Sequence, residues 1–209
     1  MLDTQSQLEL AFNARERFAM CSTFKVMLVA AILKRVEAGE LSLDGGLPVR
    51  EQDMVPYAPI TSKYVAAGSM TVRDLCAAAV TVSDNAAANI LLQPLGGPAG
   101  LTQFLRDIGD QVTRLDRTEV ELNTNLPGDL RDTTAPQAMV GSMQKVLVGE
   151  VLTPQSRQQL IAWMQQSTTG SKRLRAGCLQ IGALATKRAT AATARRTICW
   201  SRGRPAAQR

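Results

Sequence analysis

The clearest pattern in the chain is an apolar run from Phe24 to Val36, interrupted only by Lys25, Lys34 and Arg35 and closed by Gly39. Apolar on nearly every side, it predicts a central helix buried all round. Ser22 or Thr23 stands where a hydroxyl would cap its free N–H groups. Ahead of it, Leu8-Glu9-Leu10-Ala11-Phe12 alternates and predicts a short strand. Residues 40–69 carry Gly45-Gly46, Pro48, Pro56, Pro59 and Gly68 and read as loop. Thr71-Val72-Arg73-Asp74 has the form of a capping box and opens a helix through Val80. A break at Ser83-Asp84 precedes a helix to about Leu95, stopped by Gly96-Gly97-Pro98, and another runs from Ala99 to Ile108. The acidic stretch from Asp116 to Thr134, with Pro127-Gly128 inside it, predicts a long ordered loop; compact domains usually keep such loops for function. Helices at about 135–148 and 154–166 complete the pattern, without internal repeats.

Composition narrows the chemistry. At 209 residues the chain suffices for one large domain or two small, closely packed ones. Aromatics make up 4%, too few for base-stacking platforms of the RNA-binding kind. There is no histidine, which excludes a Ser-His-Asp triad, a Cys-His dyad and any His-ligated metal. A nucleophile here needs lysine or a carboxylate as its base. The four cysteines, Cys21, Cys76, Cys178 and Cys199, fit no zinc spacing. No apolar run is long enough to span a membrane. No signal segment is legible at Met1. The net charge of +6 sits in the tail: Lys187, Arg188, Arg195, Arg196, Arg202, Arg204 and Arg209 face no acidic residue over 178–209, and the body is near neutral. A basic tail could bind nucleic acid by counterion release, the signature of a non-enzymatic binding protein.

Three motifs carry chemistry. Ser22-Thr23-Phe24-Lys25 places a hydroxyl and an amine three residues apart, on one face of a helix start. The N–H groups and positive dipole end there would stabilise a developing oxyanion. A lysine set against an apolar core can lose its proton and act as a base. Taken alone, the motif reads first as a capped helix with a solvated lysine. Ser83-Asp84-Asn85 at a helix break is a much rarer string, although all three residue types also cap helices. In the acidic loop, Glu119 and Asn123 are four residues apart and could hold one water between them. Arg117, Asp129, Arg131 and Asp132 could pair to knot the loop.

Together these motifs resemble the class A serine β-lactamases. The longer phrases agree: Arg17-Phe18-Ala19-Met20-Cys21-Ser22-Thr23-Phe24-Lys25, Ser83-Asp84-Asn85-Ala86-Ala87-Ala88-Asn89, Gly96-Gly97-Pro98-Ala99-Gly100-Leu101 and Pro127-Gly128-Asp129-Leu130-Arg131-Asp132-Thr133. The resemblance covers about residues 2–177 and is nearest to the extended-spectrum and carbapenem-hydrolysing branches with Cys before the serine. It implies an α/β plus all-α fold of the β-lactamase/transpeptidase type. It implies that Ser22 attacks the lactam carbonyl, that Lys25 or Glu119 (through a water) takes the serine proton, and that Ser83 passes a proton to the departing nitrogen. Asn85 would bind the substrate's side-chain amide, Glu119 with Asn123 would ready the deacylating water, and Tyr57 would wall the cleft. It further implies no metal, no cofactor, no nucleic acid or membrane partner, a monomer, and a periplasmic or secreted location. Some members bridge two helical-domain cysteines. Cys76 matches one, but the other position holds Val29, so that disulfide is expected to be absent. A penicillin-binding transpeptidase shares the serine–lysine and Ser-Asp-Asn elements, and the Glu119 loop argues against it.

The chain departs from the family at both ends. No Lys-Thr-Gly occurs, although the family carries it on a strand after the last helices. Codons for Ala183 to Ala194 can be chosen so that a shifted frame reads Arg-Ile-Gly-Asp-Lys-Thr-Gly-Asn-Gly-Gly-Tyr-Gly, the missing strand. A one-base deletion near Gly177–Cys178 is therefore expected in the coding DNA. Residues 1–20 read as a remnant of the N-terminal strands, 21–166 as the all-α domain, 167–177 as a return towards the α/β domain, and 178–209 as an out-of-frame tail. The helical domain is expected to be largely present and the sheet largely missing, with one full strand left. The product is expected to be poorly soluble, with little or no activity.

Overall fold

The computed structural model describes Leu2 and residues 8–124, 126–169, 184–188 and 197–201. Helix α1 (Phe24–Glu37) is its axis. All residues from Phe24 to Leu33 are buried, Lys25 among them. A helix apolar on all sides needs neighbours on all sides. They are α2 (Val72–Thr81), α3 (Asn85–Leu92), α4 (Pro98–Asp107), α5 (Pro136–Leu147) and α6 (Pro154–Gln165).

Local chemistry sets most helix starts. Thr71 Oγ1 accepts from the Asp74 amide at 3.1 Å, as the capping box predicts. Asp84 caps α3 by accepting from the Ala87 amide at 2.9 Å. Pro98, Pro136 and Pro154 open α4, α5 and α6, where no N–H is needed and the ring's fixed φ suits a helix. The predicted hydroxyl cap of α1 does not form. Cys21–Thr23 makes a short helical turn ahead of α1, and the Thr23 hydroxyl donates to the Met20 carbonyl at 2.6 Å.

The strands are short. The expected strand at 8–12 is not one: it holds an isolated bridge between Leu2 and Glu9, and Leu8, Leu10 and Phe12 are exposed. Alternation selects a face but supplies no partner strand. Instead β1 (Phe18–Ala19) pairs antiparallel with β4 (Thr133–Thr134), and β2 (Gly46–Pro48) pairs with β3 (Ser69–Thr71). The expectation of one full strand and no later ones is corrected in the tail. There β5 (Leu184–Arg188) pairs antiparallel with β6 (Thr197–Ser201), and β5 lies beside the Cys21–Thr23 turn and α6. The fold is α/β plus all-α, with the helical part largely present and the sheet reduced to two-stranded pieces among the described residues. No described helix is long and apolar enough to cross a membrane. Cys21 and Cys76 are buried, and burial pushes the Cys76 thiol well up. Cys178 and the Gly177–Cys178 junction lie outside the described residues.

A buried carboxylate joins three elements behind α1. Asp110, just past α4, accepts from the Val112 and Thr113 amides, from the Thr113 hydroxyl and from the Ser142 hydroxyl of α5. Burial pushes its pKa up, but these hydrogen bonds outweigh burial and hold it below the ordinary aspartate value of 3.8. Its contribution to stability is therefore present above that value and lost as pH falls through the lower folded one. Urea midpoints are expected to drop as pH falls below about 4. In Asp110→Asn the midpoint starts lower, and its fall below about pH 4 is shallower; equal slopes would contradict this.

Candidate active site

Ser22 sits in the turn that feeds α1, with Cys21 before it in the left-handed region at φ +45°. Lys25 follows one helical turn later with no exposed side-chain surface. Its ammonium lies 3.3 Å from Ser22 Oγ, 3.3 Å from Ser83 Oγ, 3.0 Å from the Ser83 carbonyl and 2.5 Å from Asn85 Oδ1. Glu119 Oε1 is 2.8 Å away, and this oxygen takes no other hydrogen bond from a described residue. Burial lowers the Lys25 pKa, and the Glu119 carboxylate raises it only part of the way back.

The break between α2 and α3 brings Ser83 into place. Ser83 has φ +66°, a left-handed conformation that costs a non-glycine residue roughly 1 kcal/mol or more. Asp84 fixes the break from inside. Its carboxylate accepts from the Ile60 and Thr61 amides and the Thr61 hydroxyl, each at 2.9 Å, besides capping α3. The segment holding Tyr57 is thereby tied down, and the Asn85 amide donates to the Tyr57 carbonyl at 3.0 Å. Tyr57 also has φ +66° and stands mostly exposed at the rim. Asn85 points its oxygen at Lys25 and donates from Nδ2 to the Pro56 carbonyl at 2.9 Å.

Glu119 reaches the site from the long loop. Asn123 donates to Glu119 Oε2 at 2.6 Å. Below them, Asp132 is fully buried and closes the neck of the loop. It accepts from the Asp116 and Arg117 amides and from Arg117 Nε, the last at 2.6 Å. Its own carbonyl accepts from the Met20 amide at 2.9 Å, two residues before Ser22. Asp129 stands 4.0 Å from Arg117 and pairs more closely with Arg131 at 2.8 Å.

Ser22, Tyr57, Ser83, Asn85, Glu119, Asn123 and Thr169 line one cavity of about 350 Å³, and Lys25 lies beneath it. Arg117, Asp129 and Asp132 lie outside it and brace the loop. No group of His, Cys, Asp or Glu suited to hold a metal occurs among the described residues. Two contributors were not singled out from the sequence. Asn89 clamps the Glu119 backbone, accepting from its amide at 2.9 Å and donating to its carbonyl at 2.8 Å. Its signal was its position one turn after Asn85 on the same helix face. Thr169 closes the far wall, and nothing local in the sequence marks it.

Comparison with known proteins gives the family of the chain. The model of the β-lactamase enzyme family, Beta-lactamase2, matches residues 1–196 and so runs past the expected boundary at 177. The structure of the class A β-lactamase of the last common ancestor of Gram-negative bacteria (GNCA4) superposes with a TM-score of 0.89 at 52% identity, over 91% of this chain and 72% of that one. An ancestral class A β-lactamase (GNCA) gives 0.89 at 48% identity, over 95% and 80% of the two chains. The candidate class A β-lactamase PenP from Rhodopseudomonas palustris gives 0.88 at 47%, over 91% and 72%. On the family model and on these shared folds, the chain belongs to the class A β-lactamase family, hydrolases of β-lactams.

Proposed function

We propose that Ser22 is the nucleophile of a serine acyl-enzyme route for opening β-lactams, with Lys25, Ser83 and Glu119 moving its protons. The supporting observation is that one buried ammonium touches Ser22 Oγ, Ser83 Oγ and Glu119 Oε1 together. Ser22 Oγ attacks the lactam carbonyl, and its proton passes to Lys25, once Lys25 has given a proton to Glu119 and is a neutral amine, or, through a water, to Glu119 directly. The tetrahedral oxyanion collapses, the C–N bond breaks, and Ser83 delivers a proton to the nitrogen; Lys25 restores that proton, and Glu119 returns its own to Lys25 and is again a carboxylate. Glu119, steadied by Asn123, then takes a proton from water, which attacks the ester and frees Ser22. Asn85 and Tyr57 would hold the substrate, and Arg117, Asp129 and Asp132 would keep the loop in place. By its class the enzyme would work in the periplasm or outside the cell, as a monomer and on a small molecule.

Activity is expected to be weak. The sequence contains no Lys-Thr-Gly, and β5, which runs beside the Ser22 turn, reads Leu184-Ala185-Thr186-Lys187-Arg188. Loss of one oxyanion donor costs about 10²–10³ in turnover, roughly 2.7–4 kcal/mol.

A chromogenic cephalosporin assay paired with intact mass spectrometry tests the assignment. Ser22→Ala is expected to take no acyl group, and Glu119→Gln to accumulate one. An acyl-enzyme that persists in the unsubstituted chain would point instead to a penicillin-binding transpeptidase. Restoring one base near codon 178 is expected to raise turnover by about 10²–10³ if the strand is what is lacking; equal rates would contradict that.

A further inference from the structure

The loop that carries Glu119 is rooted in a carboxylate remote from the cleft. Asp110 is 6% exposed, and each of its oxygens takes two donors. The single hydrogen of the Thr113 hydroxyl goes to Asp110 at 2.6 Å. In the 2.7 Å contact between the Thr113 and Thr134 hydroxyls, Thr134 is then the donor, its other acceptor, the Ala135 carbonyl, being farther off at 3.3 Å. A directed chain from Thr134 through Thr113 to Asp110 crosses the base of the neck. Above it the neck is closed by the Arg114 amide on the Thr133 carbonyl at 3.1 Å, and by amide–carboxylate bonds exchanged between Asp116 and Asp132. Thr134 stands opposite Phe18 in the β1–β4 pair. One neck thus reaches the strand that enters Ser22 and the loop that holds Glu119.

We propose that Asp110 is a positioning residue for the deacylation half of the reaction: by gripping the neck through Thr113 and Thr134, it sets where Glu119 stands relative to Ser22. It touches neither substrate nor reacting atoms. It governs Glu119 more than Lys25, because Lys25 belongs to α1 and is held by five oxygens of its own. Glu119 has the neck behind it and the Asn89 clamp beside it. Without the carboxylate, two amides and two hydroxyls lose their acceptor in a buried place, and the root of the loop loosens. A displacement of roughly 1 Å at the reacting groups can cost about 10²-fold in rate.

The test uses the full chain, with Asp110→Ala as the severe variant and Thr134→Val as the mild one. Thr134→Val leaves all four donors on Asp110 and removes the hydroxyl link into β4, together with that hydroxyl's 3.3 Å contact with the Ala135 carbonyl, so it decides the matter if Asp110→Ala does not fold. Hydrogen exchange is expected to quicken across residues 113–134 and stay unchanged in α1 and α3. The kinetic arm rests on the acyl-enzyme reading above. There the Ser22 acyl-enzyme formed with a fluorescent penicillin is expected to live about tenfold to a hundredfold longer, while acylation, for which Lys25 is the alternative base, slows by a smaller factor. Asp110→Asn, which can keep the network with its hydroxyl chain reversed, is expected to recover most of the loss. Exchange that rises equally in α4, α5 and the loop would overturn the proposal, as would slowed acylation with an unchanged acyl-enzyme lifetime. A chain that never takes an acyl group defeats the acyl-enzyme reading instead; the exchange pattern then decides the role of Asp110 by itself.

Discussion

The structure turns on one ammonium group kept out of water. Burying a lysine costs several kcal/mol unless its charge is met. Lys25 has three N–H donors, and five oxygens crowd around them from three separate parts of the chain. One is Ser22 on its own helix start, two belong to Ser83 and one to Asn85 at the α2–α3 break, and one to Glu119 on the long loop. Each part is locally free to stand elsewhere. The need to satisfy the buried cation draws them to a common point, and that point is also where the proposed acyl transfer would need its nucleophile and bases.

The surrounding groups make the convergence possible. Ser83, Tyr57 and Cys21 hold left-handed backbones without being glycines, and such strain persists only where neighbours over-determine it. Asp84 and Asp132 provide that. Each is fully buried and gathers amides from a distant segment, one fixing the rim at residues 60–61 and the other the neck at 116–117. Neither reaches the cavity, yet both determine which side chains do.

Much of this could be read from the residues. Helix α1 was legible because ten successive buried positions leave no polar face. Helices α2, α5 and α6 were legible because Thr71, Pro136 and Thr153-Pro154 act locally. The pair Ser22 and Lys25 follows from helical spacing, and Glu119 with Asn123 from spacing of four. Alternation at 8–12 suggests a strand, but pairing is non-local, and among the described residues that segment holds an isolated bridge to Leu2. The cap of α1 was misread because Thr23 bonds backwards to Met20. Asn89 could not be assigned a role from the sequence, since its partner Glu119 lies 30 residues away along the chain. Asp110 showed only as one acid among several; its importance comes from burial, which no local pattern records.

The most direct check is the titration of Lys25 itself, followed by NMR of labelled lysine side chains with the signal assigned by its loss in Lys25→Met. Burial outweighing the Glu119 carboxylate requires a midpoint below the ordinary 10.5, moving lower still when Glu119 becomes Gln. A midpoint at or above 10.5, unmoved by that substitution, would mean that the ammonium is solvated and that the convergence described above does not exist in solution.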